Sequence, residues 1–231
     1  MRNNAQYFRT PDPNGMGLAS VCVRENHMYP YDHYIWDFDG TLFDSYPHST
    51  RALYETARHF GVDVDYDALS RAIRHSFARA FALVGLTEEQ LRLFHQWRGD
   101  DAFPPPIVPF PHAAAALEAL SRRGARHWLY THSNHRMSVR FLEQYGLARY
   151  FAGYVTPEDP GFAMKPYPGA IRYILERWSI DPATAVMVGD REIDMRCARD
   201  AGVDGILIDP DHLVETTCAR WRADDLSALC E

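Results

Sequence analysis

Short apolar runs alternate with helical stretches through most of this chain, and that alternation narrows the possible folds more than any other feature. The runs are His33–Phe38, Arg126–Tyr130, Gly153–Thr156, Ala185–Val188 and Gly205–Ile208. They are rich in β-branched and aromatic residues and are stopped by Asp, Gly or Pro, which is how buried strands end. Between the later ones lie stretches with helical apolar spacing: His112–Arg123 before Gly124, Asn134–Tyr145 before Gly146, Pro168–Trp178, and Glu192–Ala201 before Gly202. Strands alternating with helices of this length predict βα units, and hence a parallel sheet covered on both faces.

The first strand is followed differently. Residues 49–60, 66–84 and a segment opening at Thr87 have helical patterning, and no strand intervenes. Thr87-Glu-Glu-Gln90 supplies an N-cap with a polar residue three positions on. A stretch with five prolines among its nine residues, Phe103–Pro111, then excludes helix and central strand. The expected architecture is an α/β doubly wound parallel sheet, Rossmann-like, carrying a small all-helical lobe. Its divisions are a loose N-terminal tail over 1–30, a core over 31–44 and 104–231, and a helical cap over 45–103.

Composition excludes several functions. Thirty-one acidic residues stand against 24 basic ones, a formal charge of −7. Nucleic-acid or anionic-membrane binding, which needs a basic surface, is not expected. No apolar run approaches the roughly 18 residues of a spanning helix. The four cysteines, Cys22, Cys197, Cys218 and Cys230, are irregularly spaced without a CxxC pair, and the polar N-terminus lacks the apolar core of a signal peptide. Reduced thiols and a cytoplasmic location are expected.

The chemistry gathers where strands end. The first run closes in Asp37-Phe-Asp39-Gly-Thr41, another in Thr131-His132-Ser133, and a third in Gly189-Asp190-Arg-Glu-Ile-Asp194. Open parallel sheets bind ligands outside the carboxyl ends of their strands. Carboxylates crowded at one edge repel unless a cation intervenes. Oxygen ligands without a Cys/His cluster point to a hard divalent ion, most simply Mg²⁺, which recruits substrate phosphate. Lys165, placed in a loop by Pro166, is the nearby cation for phosphoryl oxygens.

These four motifs, in this order, resemble the haloacid dehalogenase superfamily over residues 33 to 210, most of all its phosphoglycolate-phosphatase-like branch with a helical C1-type cap. The resemblance implies Asp37 as nucleophile forming an aspartyl-phosphate, and Asp39 as general acid and base. It implies Mg²⁺ held by the carboxylates of Asp37 and Asp190 and the Asp39 carbonyl. Asp194 would orient a metal-bound water or the lysine, and Thr131 and Lys165 would grip the phosphoryl oxygens. Asp39 argues for phosphoryl transfer over dehalogenation, since halide leaves without a proton. Gly40 would permit an unusual backbone and Thr41 brace the loop. His132 and His112 replace the frequent Asn and Gly of the family, and His132 is a candidate substrate contact. Arg74 and Arg79, within Arg71–Arg79, are the groups a cap would close over an anionic substrate. The same spacing also suits a solvated helix face.

The implied function is a Mg²⁺-dependent phosphomonoester hydrolase of a small phosphorylated metabolite, as monomer or homodimer. The alternatives are a phosphomutase of the β-phosphoglucomutase type and a non-catalytic phosphate- or partner-binding protein of the same fold.

Overall fold

The computed structural model describes residues 7–9, 20–22, 29–100, 102–159, 161 and 163–230. Residues 1–30 and 31–231 are two separate compact units. In the first, β1 (Tyr7–Arg9) pairs antiparallel with β2 (Ser20–Cys22). The rest of the tail read over 1–30, up to Tyr29, lies outside the described residues.

The second unit is built on a six-stranded, all-parallel sheet. Its strands are β3 (His33–Trp36), β6 (Arg126–Tyr130), β7 (Phe151–Val155), β8 (Ala185–Gly189), β9 (Asp204–Ile208) and β10 (Trp221–Ala223). The order across the sheet is β10-β9-β8-β3-β6-β7. From the central β3 the chain winds outward through β6 and β7, then returns to β8 and winds the other way. The order therefore reverses beside β3, and the crevice at that reversal is where such sheets bind ligands.

Side chains of successive strand residues point to opposite faces, so each strand serves two layers. Ile35, Trp128, Tyr130 and Met187 pack against α7 (Gly169–Arg177) and α8 (Glu192–Ala201). On the other face lie Tyr34, Trp36 and His127, covered by α5 (Ala113–Arg122), whose Ser121 Oγ is 3.1 Å from His127 Nε2. Phe141 of α6 (His135–Gln144) packs on Phe38 and Phe43. The doubly wound α/β sheet expected from the alternation is thus the observed fold. The three-residue edge strand β10 is an addition.

A two-stranded antiparallel ladder, β4 (Phe43–Asp44) with β5 (Val108–Pro109), brackets the helical segment. Between its strands lie α1 (Tyr46–His59), α2 (Tyr66–His75), α3 (Phe77–Val84) and α4 (Glu88–Arg98). They share an apolar cluster of their own, with Leu53, Leu69, Ile73, Val84 and Phe94 at its centre.

Two details differ from the expected pattern. Helix α1 starts at Tyr46 rather than Ser49, because Pro47 is tolerated in a first turn. The single helix expected over 66–84 is two helices. Ser76 is fully extended (φ −169°, ψ 147°) and its Oγ accepts a hydrogen bond from Arg79 N at 3.1 Å. A serine that caps the next helix competes with continuation of the last one.

Candidate active site

Asp37 stands one residue beyond β3, and its backbone N donates to Val188 O at 2.9 Å, which fixes it against β8. Its Oδ1 accepts from Lys165 Nζ at 2.6 Å, and the same ammonium donates to Asp194 Oδ1 at 2.8 Å. All three side chains are buried. Asp37 Oδ2 is also buried yet has no hydrogen-bond partner among the described residues. Lys165 lies 4.8 Å from the centre of the Tyr130 ring.

Asp39 faces a different set of partners. Its Oδ1 accepts from Ser45 Oγ at 2.5 Å and from Arg98 Nη2 at 3.1 Å, and its Oδ2 from Ser133 Oγ. Gly40 follows Asp39 at φ +81°. A Cβ there would come within 2.3 Å of Asp190 Oδ2 and 2.4 Å of Tyr46 Cε2. Only glycine lets this turn close on the carboxylate. Asp190 accepts from Tyr46 OH at 2.6 Å and from Thr41 Oγ1 at 3.3 Å. The Tyr46 hydroxyl also lies 3.3 Å from the Asp39 carbonyl oxygen.

The charges are balanced by burial and pairing. Burial pushes Asp37 up to about 6 against the pull of Lys165. Asp190 is pushed up to about 7 by burial and by the neighbouring carboxylates, with Arg191 opposing. Burial also acts on Asp39, but Arg98 with the Ser133 and Ser45 hydroxyls outweighs it and holds that carboxyl below its ordinary value. Lys165 is raised, because Asp194 and Asp37 outweigh its burial.

Ligand atoms of Asp37, Asp190 and Asp194 lie within 4.8 Å of one another. Together with the unpartnered Asp37 Oδ2, this all-oxygen cluster fits a hard divalent cation. Asp194 is already committed: its Oδ1 accepts from Lys165 and its Oδ2 from the Arg191 backbone N at 3.1 Å.

Not every residue singled out in the sequence reaches this place. Thr131 does: it is buried at the end of β6, and its Oγ1 accepts from Ser133 N at 2.9 Å. His132 is engaged by the loop that carries Lys165. Its Nε2 accepts from the Lys165 backbone N at 2.8 Å, and burial with the nearby Lys165 and Arg191 charges lowers its pKa to about 3. It is a neutral brace for the lysine loop. Arg74 lies 5.7 Å above the Tyr46 ring and borders, with Gly40, Thr41 and Asp190, a cavity of about 410 Å³. Arg79 is elsewhere, in a surface groove with Arg71 and His75. His112 adopts φ +67°, the left-handed conformation that explains the family's glycine there.

Tyr46, Arg98, Ser133 and Arg191 were not singled out as functional from the sequence. Arg191, beside Asp190, carried the one available signal, a cation inside a carboxylate motif. Arg98 lies 59 residues from Asp39, a separation with no local pattern to mark it.

The chain is similar to several known proteins. The haloacid dehalogenase-like hydrolase family model matches residues 31–202. A phosphoglycolate phosphatase of Agrobacterium fabrum is 32% identical over 184 residues, covering 74% of this chain and 78% of the relative. Another, from Rhodospirillum rubrum, is 32% identical over 189 residues, covering 75% and 78%. Among solved structures, CbbY from Rhodobacter sphaeroides in complex with phosphate superposes with a TM-score of 0.69 at 20% identity, covering 85% of this chain and 95% of that one. With the family match spanning residues 31–202, most of the sheet together with Asp37 and Asp39, the chain belongs to the haloacid dehalogenase-like hydrolases.

Proposed function

We propose that the protein hydrolyses small phosphomonoesters through an aspartyl-phosphate on Asp37, in the manner of its phosphoglycolate phosphatase relatives. The observation that carries this reading is the contrast between two neighbouring carboxylates. Asp37 keeps one buried oxygen unpartnered, while Asp39 is engaged by hydroxyls and a guanidinium. A nucleophile needs a free oxygen; an acid–base group needs partners that manage a proton.

In the first step an Asp37 oxygen attacks phosphorus in line and the bond to the leaving oxygen breaks. Asp39 first takes up a proton against the pull of Arg98, Ser45 and Ser133, then gives it to that oxygen, and the alcohol departs. In the second step Asp39 takes a proton from water, whose oxygen attacks the same phosphorus. The Asp37–phosphorus link breaks, releasing phosphate and restoring the carboxylate. Thr131 and Lys165 hold the phosphoryl oxygens, and Asp194 holds Lys165 in place. The Asp37 and Asp190 carboxylates and the Asp39 carbonyl would hold Mg²⁺. When bound, that ion supplies positive charge against the carboxylates and the phosphoryl group.

Residues 45–103 are read as a cap over a core of 31–44 and 104–231, supported by the β4–β5 ladder and the separate helical cluster. Among the described residues, the free thiols Cys197 and Cys218 support a reducing, cytoplasmic setting.

Phosphate release from p-nitrophenyl phosphate and 2-phosphoglycolate tests the reading. Wild type with Mg²⁺ is expected to turn over repeatedly, and wild type with EDTA and Asp37→Asn with Mg²⁺ are expected to be inactive. No release from folded wild type would return the protein to the phosphomutase or binding readings.

A further inference from the structure

Arg98 bridges the helical segment and the sheet edge. It ends α4. Its Nε donates to Ser49 Oγ at 3.1 Å, and its Nη2 donates to Asp39 Oδ1 at 3.1 Å and to Ser133 Oγ at 3.0 Å. The guanidinium lies 5.0 Å above the Phe77 ring. The side chain is only 13% exposed. Its main-chain carbonyl faces His48 Nε2 at 3.2 Å, while His48 Nδ1 faces the Pro105 carbonyl at 2.7 Å. The end of α4 is therefore held from below as well as from the site. Nη1 makes no hydrogen bond to the described residues.

We propose that Arg98 is a specificity-determining residue, which binds a second anionic group on the alcohol portion of the substrate. This rests on the phosphomonoesterase reading. The departing oxygen must meet the Asp39 carboxyl at hydrogen-bond distance, about 2.7 Å. Arg98 is already on that carboxylate at 3.1 Å, so the oxygen arrives within about 6 Å of the guanidinium, by adding one hydrogen bond to the next. A carboxylate one carbon further along the alcohol falls within reach of Nη1. Arginine suits the task because its guanidinium stays charged and keeps Nη1 for a carboxylate oxygen while Nε and Nη2 hold Ser49, Asp39 and Ser133. Ser49, Ser133 and the Phe77 ring hold it at the right depth. A neutral alcohol meets the same guanidinium and gains nothing from it, while displacing water from a charge.

The test compares 2-phosphoglycolate with ethyl phosphate, which has the same two-carbon alcohol without the carboxylate. Wild type, Arg98→Gln and Arg98→Lys are assayed for kcat/KM with Mg²⁺. The preference for the anionic ester should fall about 10- to 100-fold in Arg98→Gln, the range of one charged hydrogen bond. Arg98→Lys should retain part of it. Both esters slowing by one common factor, or an unchanged ratio, would overturn the proposal and leave Arg98 as a structural clasp. A binding arm is independent of turnover. Calorimetry on Asp37→Asn should show tighter binding of 2-phosphoglycolate than of ethyl phosphate, and Asp37→Asn/Arg98→Gln should lose that difference. Discrimination in binding without any turnover by wild type would sink the hydrolase reading while supporting Arg98. Equal binding of the two esters would sink the Arg98 assignment alone.

Discussion

At the scale of single residues, the sheet hides a titratable group away from the site. His127 is fully buried in β6. Its Nδ1 accepts from Trp36 Nε1 at 2.9 Å, and Ser121 lies against Nε2. Burial lowers its pKa to about 4. An unfolded chain binds a proton at this ring near the ordinary histidine value of about 6.5, while the folded one does not. The contribution is therefore complete above that value and is lost as pH falls toward 4. Urea unfolding of wild type and His127→Gln at pH 7.5 and 5 measures it. The gap between the two should shrink by on the order of 2 kcal/mol at the lower pH. A gap independent of pH would mean the ring is not neutral in the fold.

At the scale of elements, α4 gives a clean test of local encoding. Thr87 Oγ1 accepts from Gln90 N at 3.3 Å, and Gln90 Oε1 accepts from Thr87 N at 2.9 Å. Thr87→Ala should cost about 1 kcal/mol, read as a lower urea midpoint, with phosphate release intact because the cap is exposed and distant from Asp37. That helix start was legible because a capping box is written within four residues. The core strands were legible for a similar reason: apolar runs and their Asp or Gly stops are contiguous. Other elements were not. Phe77–Val84 continues the apolar spacing of the helix before it, so only the extended backbone of Ser76 separates them. Trp221–Ala223 is too short to carry a period, and becomes a strand by pairing with Ile206–Ile208. In the site, Asp37, Asp39, Thr131, Lys165, Asp190 and Asp194 could be named because their motifs are local. Tyr46 and Arg98 could not, since their hydrogen bonds to Asp190 and Asp39 exist only once distant helices have packed.

For the whole molecule, the proposed Mg²⁺ site at the buried carboxylate cluster would tie stability to cation supply. A ligand that binds only the folded state stabilises it in proportion to the logarithm of its concentration over Kd, about 2.7 kcal/mol at a hundredfold excess. Mg²⁺ should raise the midpoint of thermal unfolding, EDTA should reverse the rise, and Asp190→Asn should abolish it; an Asp190→Asn protein that still responds would place the ion elsewhere. The β4–β5 ladder has a further effect, on how such a chain changes over generations. Phe43 pairs with Pro109 and Asp44 with Val108, so the long helical excursion leaves and re-enters at neighbouring points, as a hairpin loop would. Lengthening a flexible connection costs only about 0.6 kcal/mol per doubling. Insertions or deletions in the connections between those helices therefore leave the strand ends that carry Asp37 and Asp39 undisturbed, so long as Ser45, Tyr46 and Arg98 keep their contacts. Lineages can exchange what they select while inheriting unchanged how they cut.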